Sequence, residues 1–380
     1  MTTTIRARNE MRPRAPWHRH GSKVVKRQRL QKAFCVRLTY FIFFLMLVEG
    51  PLRKWFAPSL SSEIYFLRDP FVLYLYAYAL RSGLLFKSTL AASWISFALA
   101  SSIVGGVGYM VDGQSSLAWL FGMRNYWLYM PMAFVIANTF GRKDVERLLR
   151  WSLLISLPYA LLVILQYRSP ASAWINKAIG DEVSIGLALG IVRPYGLCTW
   201  TSQKVLFTAF LAACLLTLMF RKTIGWDRLI GILAIGAVGA LAVLTGSRTI
   251  YFLLASTVLF TLTGVVATGR MSKIFSTTLM IAGACIAAAA LFVTQFDDMF
   301  EAMSHRWEVA EQSEGSTIDR AVGNLFSFTE PFETAPVTGY GIGRGTPAVT
   351  RFTGEPSLLY GESDPQRNIN ELGLIMGGLM

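Results

Sequence analysis

Long apolar stretches recur along this chain of 380 residues, and each is long enough for a helix to cross the hydrocarbon core of a bilayer. Hydrophobic residues make up 53% of the sequence and charged residues 16%, which is too apolar for an ordinary soluble domain. The pattern predicts an all-α polytopic integral membrane protein with about nine to ten transmembrane helices and one large extracytoplasmic loop. The predicted helices are 34–49, 65–81, 89–106, 116–140, 151–167, 203–220, 229–246, 249–267 and 274–295, and a tenth begins near Ile369.

These helices divide the chain into four regions. Residues 1–32 are predicted to form a basic, disordered cytoplasmic tail, and residues 33–295 to hold the first nine helices. Residues 296–370 form the large outer loop, and residues 371–380 begin a tenth helix, so the sequence is expected to stop inside that helix. Within the seventh predicted helix, Gly236 and Ala240 share one face and predict a close contact with a neighbouring helix.

The distribution of positive charge gives the expected orientation. With the N-terminus in the cytoplasm, the cytoplasmic segments hold 22 Lys and Arg residues and 4 acidic residues, against 14 and 19 in the rest of the chain. Lys and Arg concentrate in cytoplasmic loops, so the loop 296–370 is expected on the outer, periplasmic side. The net charge of +13 therefore reflects topology. No nucleic-acid partner is expected, whereas the basic tail is expected to contact anionic membrane lipid.

Cysteine and histidine are too scarce and too scattered to indicate a metal site. The four cysteines form no C-x-x-C pair, and two of the three histidines, His18 and His20, lie in the basic tail. The adjacent pair Asp297 and Asp298 could suggest metal binding, but two neighbouring carboxylates alone do not indicate a site. The sequence therefore predicts no metal and no cofactor.

Several cations lie at the predicted outer ends of the helices, where a charge at membrane depth needs a partner or a task. Arg53, Lys54 and Arg68 have Glu49 and Asp69 nearby, so salt bridges or lipid-headgroup contacts explain them as well as ligand binding does. Guanidinium groups bind phosphate in a bidentate manner, so a cluster of them suits a lipid-linked phosphate or pyrophosphate. Three further arginines without an adjacent acid are the candidates for that role: Arg124, Arg193 and Arg248.

The predicted outer loop carries two polar features. The glycine-rich run 339–345, which contains Arg344, forms either a flexible turn or a backbone-lined rim over a site. Glu362, Asp364 and Arg367 come just before the last predicted helix. A carboxylate beside an arginine at the membrane boundary is a candidate general base, although a solvated loop end or helix N-terminus would have the same residues.

One protein family has segments similar to five segments of this chain, in the same order: 49–55, 68–70, 193–196, 245–248 and 339–343. Over most of residues 40–380, the chain resembles the bacterial O-antigen ligase and O-antigen and exopolysaccharide polymerase superfamily. In the ligase branch a His-Asn pair precedes a pattern ending in Glu-x-Gly-Leu, and here Glu362 occupies the histidine position. The resemblance therefore favours the polymerase branch, with Asp364 as a rival for the base.

The resemblance implies a metal-independent, inverting glycosyltransferase of the bacterial inner membrane. It would join undecaprenyl-pyrophosphate-linked oligosaccharide units into exopolysaccharide or O-antigen at the periplasmic face. Glu362 would accept the proton of the acceptor hydroxyl, and Arg248 and Arg193 would stabilise the leaving pyrophosphate. Further substrate contacts are expected from Arg124, Arg53, Lys54, Arg367, Asp364 and Arg344.

Membrane lipid, a chain-length regulator and export proteins are the expected partners of such an enzyme. Three alternatives remain open at this point. A ligase of the same family would transfer the glycan to a lipid or protein acceptor, a flippase or exporter would move it across the membrane, and a scaffold would do neither. Arginines at membrane depth without a nearby acid argue against the scaffold.

Overall fold

A computed structural model describes residues 17–111, 116–179, 190–219, 226–247, 249–267, 334–345 and 364–380, together with single positions between 283 and 349. The secondary-structure elements of these ranges are helices, with no strand among them. The α-helices are α1 (Trp17–Pro51), α2 (Ser61–Ile64), α3 (Asp69–Arg81), α4 (Thr89–Val111), α5 (Ser116–Trp127), α6 (Pro131–Thr139), α7 (Arg142–Arg168), α8 (Thr201–Met219), α9 (Trp226–Val243), α10 (Thr249–Ala267) and α11 (Asp364–Leu379). A π-helical turn (Leu52–Phe56) and two 3₁₀ turns (Pro58–Leu60 and Trp174–Asn176) complete the set.

Five described helices are long and apolar enough to cross a membrane. The class predicted from sequence, an all-helical membrane protein, agrees with this. The number of nine to ten spans stays a prediction, because the segment 274–295 and most of the loop 296–370 lie outside the described residues. The five candidate spans are Val25–Phe56, Thr89–Val107, Arg142–Arg168, Thr201–Met219 and Thr249–Ala267.

Three predicted boundaries were wrong. Helix α1 begins at Trp17, so residues 17–32 are helical where a disordered tail was predicted. The single predicted span 116–140 is two helices, α5 and α6, and Pro131 begins the second of them. Proline has no N–H to donate and fixes φ, so it suits the first turn of a helix better than its interior. Pro70 likewise stands in the first turn of α3, which begins at Asp69 rather than at residue 65.

In the part of the chain that the structure describes, the helices pack into four apolar clusters, and the smallest joins α8, α9 and α10 through Val205, Ala242 and Ile250. Helices α7, α8 and α9 share the largest, in which Leu153, Leu211 and Leu241 are fully buried. Helices α1, α3 and α6 share a second one, and α4 and α5 form a third with Ile342 and the last helix, α11. The predicted close contact at Gly236 was wrong, because a Cβ placed there would meet no heavy atom of the described residues within 4 Å. The third cluster brings the glycine run 339–345 against the helix bundle.

Candidate functional site

A buried charged network lies where α1 ends and the π-helical turn begins. Glu49 accepts a hydrogen bond from Arg53 Nη1 at 3.2 Å, and its other carboxylate oxygen lies 2.7 Å from Arg68 Nε. Arg53 Nε also donates to the carbonyl oxygen of Ser61 at 3.0 Å. These contacts agree with the salt-bridge interpretation of Arg53 and Arg68, since burying a cation requires a nearby opposite charge.

Arg124 is paired with Asp69, which corrects the expectation that it had no acid partner. Its Nε donates to Asp69 Oδ2 at 2.6 Å and its Nη2 to Asp69 Oδ1 at 3.1 Å. The hydroxyl of Tyr129 donates to the same Oδ1 at 2.6 Å. The guanidinium also stacks 4.0 Å from the centre of the Tyr65 ring, and its Nη2 donates to the Tyr65 carbonyl oxygen at 3.0 Å. Arg124 therefore joins α5 to the start of α3.

Two buried lysines hold the segment 193–198 in place through its backbone. Lys54 Nζ donates to the carbonyl oxygens of Gly196 and Cys198, the second at 2.9 Å. Lys204 Nζ donates to the carbonyl oxygens of Pro194, at 2.9 Å, and Leu244, at 2.6 Å. The sequence analysis missed Lys204. The available signal was a lone lysine in the first turn of an apolar helix, where the ammonium group must find oxygen partners.

Arg193 lies beside the turn that follows α9. Its Nε donates to the carbonyl oxygen of Thr245 at 3.1 Å. Arg248, the second predicted catalytic arginine, comes three positions after Thr245 but lies outside the described residues. The segments that carry the two arginines are therefore in contact. Burial raises the pKa of the nearby Cys198 thiol, so this sulfur is protonated at neutral pH and is not a thiolate nucleophile.

The glycine run docks between α4, α5 and α11. The N–H groups of Tyr340 and Gly341 donate to the carbonyl oxygens of Asn370, at 2.7 Å, and Glu371, at 3.2 Å. The hydroxyl of Tyr109 donates to the carbonyl oxygen of Ile342 at 2.8 Å. Ile342 is itself fully buried. This packing disagrees with the flexible-turn interpretation of residues 339–345, and the interpretation as a rim over a site stays a prediction.

Glu371 is the anion at the centre of this docking. Its side chain is fully buried, Oε2 accepts a hydrogen bond from the N–H of Gly343, and Oε1 accepts one from the N–H of Gly345 at 2.9 Å. Gly343 has φ 92°, a value that residues with a side chain rarely adopt. Glu371 is the glutamate of the Glu-x-Gly-Leu pattern that located Glu362, and it was not itself predicted to be a site residue. The missed signal was a single carboxylate within the apolar segment that follows residue 368.

The other predicted site residues of the outer loop that the structure describes do not contact Glu371 in the same way, and each has its own partners. Asp364 is 80% exposed and accepts a hydrogen bond from Arg367 Nη2 at 2.7 Å. The Arg367 guanidinium also lies 5.8 Å from the centre of the Tyr126 ring. Arg344 Nη1 donates to the Tyr340 carbonyl oxygen at 3.2 Å. Glu362, the predicted base, lies outside the described residues.

Helix α5 connects the charged network to the last helix. Arg124 faces Asp69, and Tyr126, two positions later, donates to Asn368 Oδ1 at 3.3 Å and lies beside Arg367. The segments 49–69, 124–129, 193–198, 339–345 and 364–371 therefore form one continuous polar region. Lys54 bonds the first to the third, Arg124 the second to the first, Tyr126 the second to the fifth, and Glu371 the fifth to the fourth. Within the described ranges, no three His, Cys, Asp or Glu side chains are placed to hold a metal ion.

Comparisons with protein-family models, curated proteins and solved structures found no match to this chain.

Replacing Gly122 by alanine tests the docking of the glycine run. A Cβ at Gly122 would overlap the carbonyl oxygen of Ile342, a backbone atom that cannot rotate away. Overpacking of this kind costs about 1–3 kcal/mol, so Gly122→Ala is expected to lower the thermal unfolding midpoint of the protein purified in detergent. Gly236→Ala is the matched control, because it adds a methyl group to a helical glycine with open space around it. An equal effect of the two substitutions would contradict the close approach at Gly122.

Proposed function

We propose that the protein is a bacterial inner-membrane glycosyltransferase that joins undecaprenyl-pyrophosphate-linked oligosaccharide units at the periplasmic face. The observation that carries the proposal is the cationic surplus of the continuous polar region. The segments 49–69, 124–129, 193–198, 339–345 and 364–371 contain seven Arg and Lys residues and five Asp and Glu residues. Such a surplus complements a pyrophosphate group, and guanidinium groups match the geometry of its oxygens.

The proposed reaction is a single displacement. The oxygen of an acceptor hydroxyl forms a bond to the anomeric carbon of the donor sugar while the bond from that carbon to the pyrophosphate oxygen breaks. The pyrophosphate leaves with the electron pair, and Glu362 accepts the hydroxyl proton. One displacement inverts the configuration of the anomeric carbon. Because arginines supply the positive charge at the leaving group, the reaction as proposed is metal-independent.

The contacts divide the arginines into two groups. Arg53 and Arg124 are each bonded to a carboxylate and to a backbone carbonyl, so in this proposal they hold the walls of the site. Arg193 lies in the segment before α8 and donates to the carbonyl oxygen of Thr245, at the turn that leads to Arg248. These two arginines are therefore assigned to the leaving pyrophosphate. Arg344 and Arg367, which both precede Glu371 in the sequence, are assigned to the glycan or phosphate at the rim.

Removal of the assigned base or of the assigned arginine is expected to abolish long polymer in cells. A lost general base costs about 10²–10⁴-fold in rate and a lost electrostatic contact about 10²–10³-fold. Cells carrying Glu362→Gln or Arg193→Ala should therefore accumulate single lipid-linked units, which chromatography of extracted lipids would detect. Arg142→Ala is the control, because Arg142 is 85% exposed at the start of α7 and lies outside the polar region.

The same extracts separate this proposal from its alternatives. Normal polymer length in both variants would contradict the site. Long lipid-linked polymer that is no longer transferred to a lipid or protein acceptor would indicate a ligase. Loss of any lipid-linked unit from the periplasmic face would indicate a flippase.

A further inference from the structure

A cationic groove lies on α7, near the end where this helix begins. Its lining residues recur at intervals of three and four positions and so occupy one helix face. The groove has a volume of about 450 Å³ and is lined by Lys143, Glu146, Arg147, Arg150, Trp151 and Leu154. None of these residues belongs to the polar region described above.

Positive charge exceeds negative charge in this groove. Its one lining carboxylate, Glu146, is engaged by Arg142 at 2.9 Å, outside the groove. Arg150 donates to Asp227 at 2.8 Å, and Arg147 lies 4.0 Å from Asp144. Cations outnumber acids even when Arg142, Asp144 and Asp227 are all counted. Among the described residues, Lys143 has no carboxylate within ion-pair distance, so the groove presents an uncompensated ammonium group to an anion.

Apolar surface continues directly from the cations. Trp151 is 49% exposed and Leu154 is 39% exposed, one and four positions beyond Arg150. Phe44 of α1 contacts the Trp151 ring edge-on, with the ring centres 6.4 Å apart, and is itself 41% exposed. Leu161 extends this exposed apolar surface along α7. The order of cation, indole and aliphatic side chain matches the order of headgroup, interface and hydrocarbon in a bilayer.

We propose that this groove is a binding site for an anionic phospholipid. Lys143, Arg147 and Arg150 contact the headgroup phosphate, and Trp151 and Leu154 contact the start of an acyl chain. Arginine donates two parallel N–H groups to phosphate oxygens, so its contact with a phosphate has a defined geometry. General attraction to a charged surface needs no such geometry. A free phosphate would satisfy the cations but would leave the exposed indole and leucine without a partner. The proposal does not depend on the glycosyltransferase activity.

Lipid retention by the full-length protein tests this site. The protein is purified in detergent, and native mass spectrometry follows its titration with phosphatidylglycerol or phosphatidylcholine. The double variant Lys143→Gln/Arg147→Gln should bind phosphatidylglycerol about 10- to 30-fold more weakly, because each cation near a phosphate contributes a factor of about five. Phosphatidylcholine binding should weaken less, because its choline cation compensates the charge of the phosphate. Arg81→Gln/Lys87→Gln is the matched control, since it removes two exposed cations that lie outside both the groove and the basic tail.

Two further arms distinguish a lipid from a free anion. Trp151→Ala should weaken binding of diacyl phosphatidylglycerol but leave binding of glycerol phosphate unchanged, and inorganic phosphate should compete poorly. Equal losses in the two double variants would show attraction to overall charge and overturn the site. Competition by inorganic phosphate at the concentration at which phosphatidylglycerol binds would also overturn it. Unchanged thermal unfolding midpoints are expected for the exposed substitutions, and Trp151→Ala gives an independent result if the double variant unfolds.

Discussion

Asp69→Ala is expected to destabilise the protein by about 3–5 kcal/mol, because it leaves the Arg124 guanidinium buried without its carboxylate. The side chains of Arg124 and Asp69 are only 10% and 13% exposed, so water cannot replace the lost partner. The substitution also removes the acceptor of the Tyr129 hydroxyl. The loss should appear as a large drop in the thermal unfolding midpoint of the protein purified in detergent.

A double-mutant cycle separates the ion pair from other effects of the substitution. Asp69→Ala/Arg124→Ala should be less destabilised than the sum of the two single variants, with an interaction energy of about 0.5–3 kcal/mol. The control is Asp227→Ala, which removes the acid from another Arg–Asp pair with a distance of 2.8 Å but a 50% exposed arginine. An exposed pair of this kind contributes about 0–1 kcal/mol. Additive losses at Asp69 and Arg124 would show that the pair does not act as a unit.

The same pair shows what the sequence could and could not predict. A cation at membrane depth needs a partner, and this rule predicted correctly that Arg124 has a special environment. It did not identify the partner, because Asp69 lies 55 positions away and had been assigned to its neighbour Arg68. Local spacing predicts contacts along one helix, whereas contacts between helices depend on how those helices pack.

The helix class was predictable for a different reason. Hydrophobic length alone identifies membrane helices, since every backbone polar group must be satisfied within the segment. Boundaries were less predictable at Pro131, where one apolar run forms two helices, and at Trp17, where a basic segment continues as a helix. Hydropathy treats an apolar proline and its neighbours as one run. Proline favours a helix boundary because it has no backbone N–H to donate, and a hydropathy scale carries no information about backbone hydrogen bonds.

Lys204 and Glu371 were missed as site residues because an isolated charge in an apolar segment has no neighbours to form a motif. Lys204 bonds to two backbone carbonyls, and Glu371 bonds to two backbone N–H groups. Backbone partners have no sequence signature. The charge itself was the signal, and asking what satisfies each isolated charge would have placed both residues among the candidates.

Glu371→Ala is expected to release the glycine run from the helix bundle. The substitution leaves the N–H groups of Gly343 and Gly345 without an acceptor, and each unsatisfied buried group costs about 1–3 kcal/mol. Faster hydrogen exchange in peptides covering residues 339–345 should accompany a lower unfolding midpoint. If the proposed function is correct, the length of the polymer should also fall, because Arg344 lies between the two released glycines and loses its position.

The conservative variant separates the contact from the volume of the side chain. Glu371→Gln keeps the shape and one acceptor oxygen but turns an NH₂ group towards one of the two N–H donors, so an intermediate loss of protection is expected. Glu63→Gln, at an exposed glutamate, should stay within about 0.5 kcal/mol of the unmodified protein. Unchanged exchange at residues 339–345 in Glu371→Ala would contradict the anchoring role whatever the polymer assay shows. Faster exchange with normal polymer would keep the anchor but remove Arg344 from the proposed site.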